Sequence, residues 1–186
     1  MRTPVKFPRV AIVGSREFER LDLVQQAVRQ LGRRVVIVSG GARGVDKTAE
    51  RTAKRLSYPE PRIFRAAWKV HGKKAGFIRN KKIVAEADGV IAFWDGQSAG
   101  TKHTLELAEK AQKPIILVLE SEGNIDLIPK NWDPRKRYVT SSRKREMTKL
   151  IRDRQDAGQY SGEQAAILLT ILETRFEEID DADTQG

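Results

Sequence analysis

Val35-Val36-Ile37-Val38-Ser39-Gly40-Gly41-Ala42-Arg43-Gly44-Val45-Asp46 is the stretch whose reading decides the fold. Four β-branched residues in succession predict a short strand buried on both faces, as in a parallel sheet covered by helices. Small residues and glycines follow, and at Lys47, Thr48, Ala49, Ala53 and Leu56 the pattern becomes helical. Strand, glycine turn and helix start together suit a phosphate: glycine lets the ligand reach the backbone, and the free amides and positive dipole end of the helix meet the anion. The alternative is a tight turn whose glycines serve geometry alone. A second glycine turn at Gly14 favours the binding reading.

Working outward, residues 9–119 read as repeating β-α units. Val10–Val13 forms a strand ending at Gly14-Ser15-Arg16, and Leu21, Val24, Ala27, Val28 and Leu31 recur at helical spacing until Gly32. After the strand at 35–38 and the helix from about Val45 to Leu56, Ile63-Phe64 follows the Pro59–Pro61 punctuation as a short strand. A helix is predicted across 75–87, then a strand at Gly89–Trp94, a helix carrying Thr104, Leu105, Leu107, Ala108 and Ala111, and a strand at Pro114–Leu119. This alternation predicts an α/β fold, a Rossmann-like doubly wound parallel sheet with helices on both faces. Ligands bind such sheets at the carboxyl ends of the strands, here Gly14–Arg16, Ser39–Asp46, Trp68–Asn80 and Trp94–Thr101.

Beyond residue 121 the composition changes. Residues 130–154 hold ten Lys or Arg against three Asp or Glu, and residues 155–186 hold one against eight, so a basic half precedes an acidic one. Ala165, Ile167, Leu168, Leu169, Ile171, Leu172 and Phe176 make a strongly apolar helix, with Ser161 and Gln164 spaced as a capping box. Its face must be covered by the β-α core or by another subunit. The expected organisation is a nucleotide-binding domain over 1–122, a basic linker over 123–140, a C-terminal helical extension (a hairpin) over 141–180 and a tail over 181–186.

At 186 residues the chain can bury one good core with an appendage, and 39% hydrophobic with 32% charged residues fits a water-soluble protein. The absence of cysteine excludes disulfides, thiolate zinc sites and thiol catalysis, and agrees with a reducing cytoplasm. No signal peptide or membrane-spanning run is read, so a cytoplasmic location without a membrane partner is expected. A net charge of +10 favours polyanionic partners, either nucleic acid or phosphorylated small molecules.

The turns resemble the SLOG superfamily of Rossmann-like nucleotide-binding proteins, and in particular its YspA/YpsA-related members. Ala11–Arg16 and Ser39–Asp46 carry the resemblance, which continues through Ala67-Trp68, Gly72–Gly76, Arg79-Asn80, Ala87-Asp88, Ile91–Gly96 and Ser98–Thr101. It covers residues 9–119 and implies a nucleotide site. Two further branches share parts of the pattern. In the Lonely Guy phosphoribohydrolases, an Arg ahead of an Ala-Asp pair and a Glu after a glycine-threonine phosphate loop cleave the N-glycosidic bond of nucleoside 5′-monophosphates. Arg79 and Gly100-Thr101 match that arrangement, whereas Thr104 stands where the Glu would be and Glu106 is the nearest carboxylate beyond it. DNA-processing protein A, which binds single-stranded DNA and loads recombinase, is similar at Gly14–Arg16 and Ser39–Asp46.

The candidate ligand- and phosphate-binding residues are therefore Gly14, Ser15 and Arg16; Gly40, Gly41, Arg43, Gly44 and Asp46; Asn80; and Ser98, Gly100 and Thr101. Arg43 offers planar bidentate donors. Thr101 either binds phosphate or caps its helix, and Asp46 either caps its helix or holds ribose hydroxyls. Arg79, Glu106 and Asp95 are the catalytic candidates, a carboxylate stabilising an oxocarbenium-like sugar or activating water. Trp68 and Trp94 either stack on a base or fill the core. His71 and His103 lack the spacing of a metal pair, so no metal or cofactor is expected. These features lead to the expectation of a nucleotide-binding protein with phosphoribohydrolase-type activity, the alternatives being a non-catalytic sensor of a nucleotide-derived ligand and a single-stranded DNA-binding protein. Its partners would be a nucleotide or nucleic acid, and a second copy of the chain through the apolar C-terminal helix.

Overall fold

The β-branched runs of the sequence line up as one parallel sheet in a computed structural model that describes residues 7–119, 128, 134, 138–174 and 177–179. The strands are β1 (Arg9–Gly14), β2 (Val36–Ser39), β3 (Arg62–Ile63), β4 (Gly89–Trp94) and β5 (Ile115–Leu119), in the spatial order β3-β2-β1-β4-β5. Val10 stands beside Ile37 on one side and Gly89 on the other, so β1 is central. From β1 the chain winds out one way to β2 and β3, then returns across the sheet to β4 and β5. The β1–β4 junction is therefore the switch point, where parting connections leave a crevice at the carboxyl edge.

Alternation along each strand sends side chains to two separate layers. Val10 and Ile12 of β1, with Ile91 and Phe93 of β4, pack against α1 (Leu21–Leu31) and α2 (Val45–Arg55). Ala11 and Val13, with Val90, Ala92 and Trp94, face the other layer, to which Ile83 and Val84 of α4 (Ala75–Glu86) and Leu105 and Ala108 of α5 (Ala99–Lys110) belong. Both faces of the sheet are thus dry, as its continuous apolar strands require. Trp94 is 1% exposed within this layer, so it fills the core and does not offer a stacking surface. A four-residue helix, α3 (Trp68–His71), and a 3-10 turn over Gly72–Lys74 precede α4.

In the C-terminal region α6 (Ser141–Asp156) and α7 (Gly162–Thr174) pack on each other and are flanked by β6 (Tyr138–Thr140) and β7 (Glu177–Ile179), a parallel pair. The capping box forms as the sequence suggests: Ser161 N donates to Gln164 Oε1 at 2.6 Å, and Gln164 N donates to Ser161 Oγ at 3.2 Å. Met147, Ile151, Ala165, Leu168 and Leu172 join the core layer that holds Trp94, Leu105 and Leu117. Ala165, Leu168 and Leu172 of α7 are therefore covered by the chain's own β-α core, and Ile167 and Leu169 are half-buried against it. Of the expected linker over 123–140, only Ile128, Pro134 and β6 are described, and the expected tail over 181–186 lies outside the described residues.

Candidate functional site

A cavity of about 490 Å³ opens at the carboxyl edge of the sheet, at the β1–β4 switch point. Its walls come from Gly14 and Arg16 after β1, the Asp95–Ser98 loop after β4, Gly100, Thr101 and Thr104 in the first turns of α5, and Trp68, Lys73, Phe77, Arg79 and Asn80 from α3–α4.

Asp46 organises the floor. It is 4% exposed, and its Oδ2 accepts from the backbone N of Gly40 at 2.9 Å and of Ala42 at 3.3 Å. The Arg79 guanidinium reaches down from α4 to within 3.7 Å of the same oxygen. It lies so close over Gly40 that a Cβ there would fall inside it, which is why this position takes glycine. Burial pushes the Asp46 carboxyl up from 3.8 to about 6, against the pull of Arg79 and the two amides. Burial likewise lowers Arg79, aided by the like charge of Arg16 and opposed by Asp46. Two guanidinium groups thus converge on a cavity that Glu17 and Asp95 also line, and the carboxylate closest to Arg79 is one whose ionisation burial disfavours. The folded protein holds the Asp46 proton more tightly than the unfolded chain does. This group's contribution to stability is therefore fully present below about pH 4 and is lost as pH rises through about 6. Urea denaturation across that range should give a flatter stability profile for Asp46→Asn than for the parent protein.

The opposite wall is shaped by its own polar groups. Asp95 Oδ1 accepts from Gln97 N at 2.9 Å and Ser98 N at 2.8 Å, the usual work of a turn-forming aspartate. Ser98 is the N-cap of α5, its Oγ accepting from Thr101 N at 3.4 Å. Asn80 Nδ2 and Thr104 Oγ1 both donate to the Gly100 carbonyl, at 3.1 and 2.9 Å, and fasten α4 to the start of α5. Ser15 is fully buried, and its Oγ accepts from Asp95 N at 3.4 Å, joining the ends of β1 and β4.

The rim on the α3–α4 side is of another kind. Residues 64–85 contain seven Lys or Arg and no Asp or Glu. Lys69, Lys73, Lys74, Lys81 and Lys82 are exposed, and among them Trp68 is 50% and Phe77 45% exposed. Phe77 meets His103 edge to face, with centroids 4.6 Å apart, while the Trp68 ring lies over Gly76. Large aromatic rings left half-exposed beside lysines and a cavity lined by Arg16, Lys73 and Arg79 are not explained by core packing.

The sequence candidates divide accordingly. Gly14, Arg16, Asp46, Arg79, Asn80, Asp95, Ser98, Gly100 and Thr101 all border the cavity. Ser15, Gly40, Gly41 and Gly44 lie behind it as structural support. Gly40 and Ala42 turn their amides to Asp46, and Gly41 N donates to Ser39 Oγ at 3.3 Å. Arg43 is exposed and pairs with Glu17. Glu106 is exposed on α5 and is not part of the lining. Glu17, Lys73, Phe77, Gln97 and Thr104 also line the cavity but are not among the candidates. Phe77 had little signal: seven residues before Val84, it shares that residue's side of the helix, and only the neighbouring Lys73-Lys74 set it apart.

Residues 3–60 match the family described as DNA recombination-mediator protein A. The gene 61 protein of Mycobacterium phage D29 is 41% identical over 117 residues, which are 58% of this chain and 94% of that protein. Among solved structures, the X-ray structure of DNA processing protein A from Streptococcus pneumoniae superposes with a TM-score of 0.54 at 24% identity, over 64% of this chain and 52% of that one. The chain thus spans about half the length of the Streptococcus protein. A structure of DNA processing protein A from Helicobacter pylori, described as having a unique single-stranded DNA binding mode, has a TM-score of 0.45 at 20% identity, over 90% of this chain and 81% of that one.

The match over residues 3–60 likens that part of the chain to the DNA recombination-mediator protein A family. The chain belongs to the family of the phage D29 gene 61 protein. The match over residues 3–60 favours the DNA-processing side of the sequence resemblance over its phosphoribohydrolase side. Among the described residues, no helix is long and apolar enough to cross a membrane.

Proposed function

We propose that this chain binds single-stranded DNA at the switch-point cavity, phosphates meeting Arg16, Arg79 and Lys73 while bases stack on Trp68 and Phe77. The observation that carries this reading is the pair of half-exposed aromatic rings within residues 64–85, a stretch with seven Lys or Arg and no Asp or Glu, at the mouth of a cavity into which two arginines converge. A positive groove follows a phosphate backbone, and exposed rings accept base faces only where the bases are unpaired. The likeness to a DNA recombination-mediator family agrees with it.

A phosphoribohydrolase would need a carboxylate free to act on a sugar. Glu106 is outside the cavity, Glu17 at its edge pairs with Arg43, Asp95 is engaged by two amides of its own loop, and Asp46 is engaged by two amides with Arg79 beside it. Non-catalytic binding of a mononucleotide remains the second reading, since a cavity of this volume would admit one. Fluorescence anisotropy with labelled oligothymidylates of increasing length separates the two. Strand binding gives affinity that rises with length and falls steeply with salt, by about 0.7 log units per decade of salt for each phosphate engaged. Equal affinity for a mononucleotide and a long oligomer would overturn the proposal.

Gly40→Ala gives a further check. The added methyl would displace the Arg79 guanidinium, a flexible side-chain end, without requiring a forbidden backbone conformation. Because Asp46 would lose its cation and sit 2.9 Å from the new Cβ, the melting temperature should fall near pH 7.5 and partly recover at pH 5. Oligonucleotide affinity should fall about tenfold, the cost of one misplaced charge-assisted hydrogen bond.

A further inference from the structure

We infer that the outward face of α6, carrying Arg145, Lys149 and Arg152, is a second contact for the backbone of the same DNA strand, an inference that rests on the proposed strand binding at the cavity. The three side chains are exposed and recur at four- and three-residue spacing, which places them along one stripe of the helix. By the helical rise they span about 10 Å, comparable to three successive phosphates. Among the described residues none of the three is in an ion pair, although Asp153 and Asp156 stand at helical spacing from Lys149 and Arg152. The opposite face is fixed, since Met147 and Ile151 are buried in the core layer. The stripe therefore stands on a rigid support.

The stripe also belongs to a unit that touches the cavity wall. Gln164 at the start of α7 donates its side-chain amide to the Gly96 carbonyl, and Glu163 pairs with Lys102 of α5 at 2.7 Å. Tyr160, in the turn between α6 and α7, packs so tightly on Gly96 that a Cβ there would fall inside its ring. On its other side Arg154 of α6 lies over that ring, 5.8 Å from the centroid. The α6–α7 pair thus adjoins the cavity wall at Gly96, within reach of a strand that leaves the cavity on that side. Two basic surfaces on either side of one cavity suit a flexible polyanion longer than the cavity itself.

The test compares the full chain with a triple variant, Arg145→Gln, Lys149→Gln and Arg152→Gln, on oligothymidylates of about 6 and about 30 nucleotides. A control variant, Arg33→Gln, Arg34→Gln and Arg51→Gln, removes the same charge from exposed positions on the α1–α2 side. For the long oligomer the α6 variant should lower the slope of log affinity against log salt by about 2, three contacts at about 0.7 each, and weaken binding by about 100-fold or more near 50 mM salt. Short-oligomer affinity should stay unchanged, and so should that of the control variant for both lengths. An unchanged slope for the long oligomer overturns the inference, as does an equal loss in the control, which would make net charge the cause. If the parent protein binds neither oligomer, strand binding at the cavity fails as well, a result distinct from the loss of the α6 effect alone.

Discussion

Arg79→Ala is expected to reduce affinity for single-stranded DNA by about 10- to 100-fold, corresponding to the roughly 1.5–3 kcal/mol of a hydrogen bond to a charged group. The side chain is only 14% exposed and is drawn into the cavity floor over Gly40, so its guanidinium is already desolvated and placed before any ligand arrives. The substitution also leaves Asp46 buried without its cation. Breaking a buried pair commonly costs about 3–5 kcal/mol, and a separation of 3.7 Å with two remaining amide donors puts this one near or below the lower end. A lowered melting temperature near pH 7.5, partly recovered at pH 5 where Asp46 takes up a proton, would separate this cost from the loss of binding. Arg79→Lys should restore part of the affinity, because an ammonium supplies charge without the planar fork. Isothermal titration with an oligothymidylate, alongside calorimetric melting, measures both effects. Unchanged affinity in a folded Arg79→Ala protein would remove the arginine from the site.

Trp68→Ala and Phe77→Ala form the second large prediction. Base stacking on an aromatic ring contributes about 1–3 kcal/mol per base, so each substitution should weaken oligonucleotide binding by about 5- to 100-fold. The two rings share one rim, so the double variant need not equal the sum. Since Trp68 is 50% and Phe77 45% exposed, stability should move far less than for a core residue such as Trp94 at 1%. Trp68→Phe should keep most of the affinity while abolishing any quenching of tryptophan emission that DNA produces at this ring. An aromatic-to-alanine pair that melts early and binds normally would mean that the rings serve packing.

Much of the fold was legible because β1, β2, β4 and β5 are short apolar runs between glycine turns, and helices α1, α2, α4 and α5 repeat their apolar residues at helical spacing. Where that signal was weak, the reading stopped. Helix α3 is four residues long and buries none of them, so no core-facing period marks it. Strands β6 and β7 are three residues each, and β7 reads Glu177-Glu178-Ile179, a sequence without strand patterning.

The site was legible as an edge of the sheet rather than as a set of contacts. Glycines at 40, 41 and 44 mark a turn whether its amides face a ligand or a carboxylate, and only the three-dimensional position of Asp46 decides between them. Asp95 carried the same ambiguity and resolved into a loop-former. Arg79 and Asn80 were found through their resemblance to a family motif, since a basic helix face alone does not distinguish the residue that points inward. Trp68 and Trp94 were indistinguishable in sequence; one lies in solvent and the other in the core because α3 sits on the rim while β4 runs through the centre of the sheet.

The most direct test is a crystal structure of the full chain with a short oligothymidylate. The account predicts a phosphate within hydrogen-bonding distance of the Arg16 and Arg79 guanidinium groups and at least one base lying flat on Trp68 or Phe77. A strand bound elsewhere on the surface, with this cavity empty of nucleic acid, would contradict it.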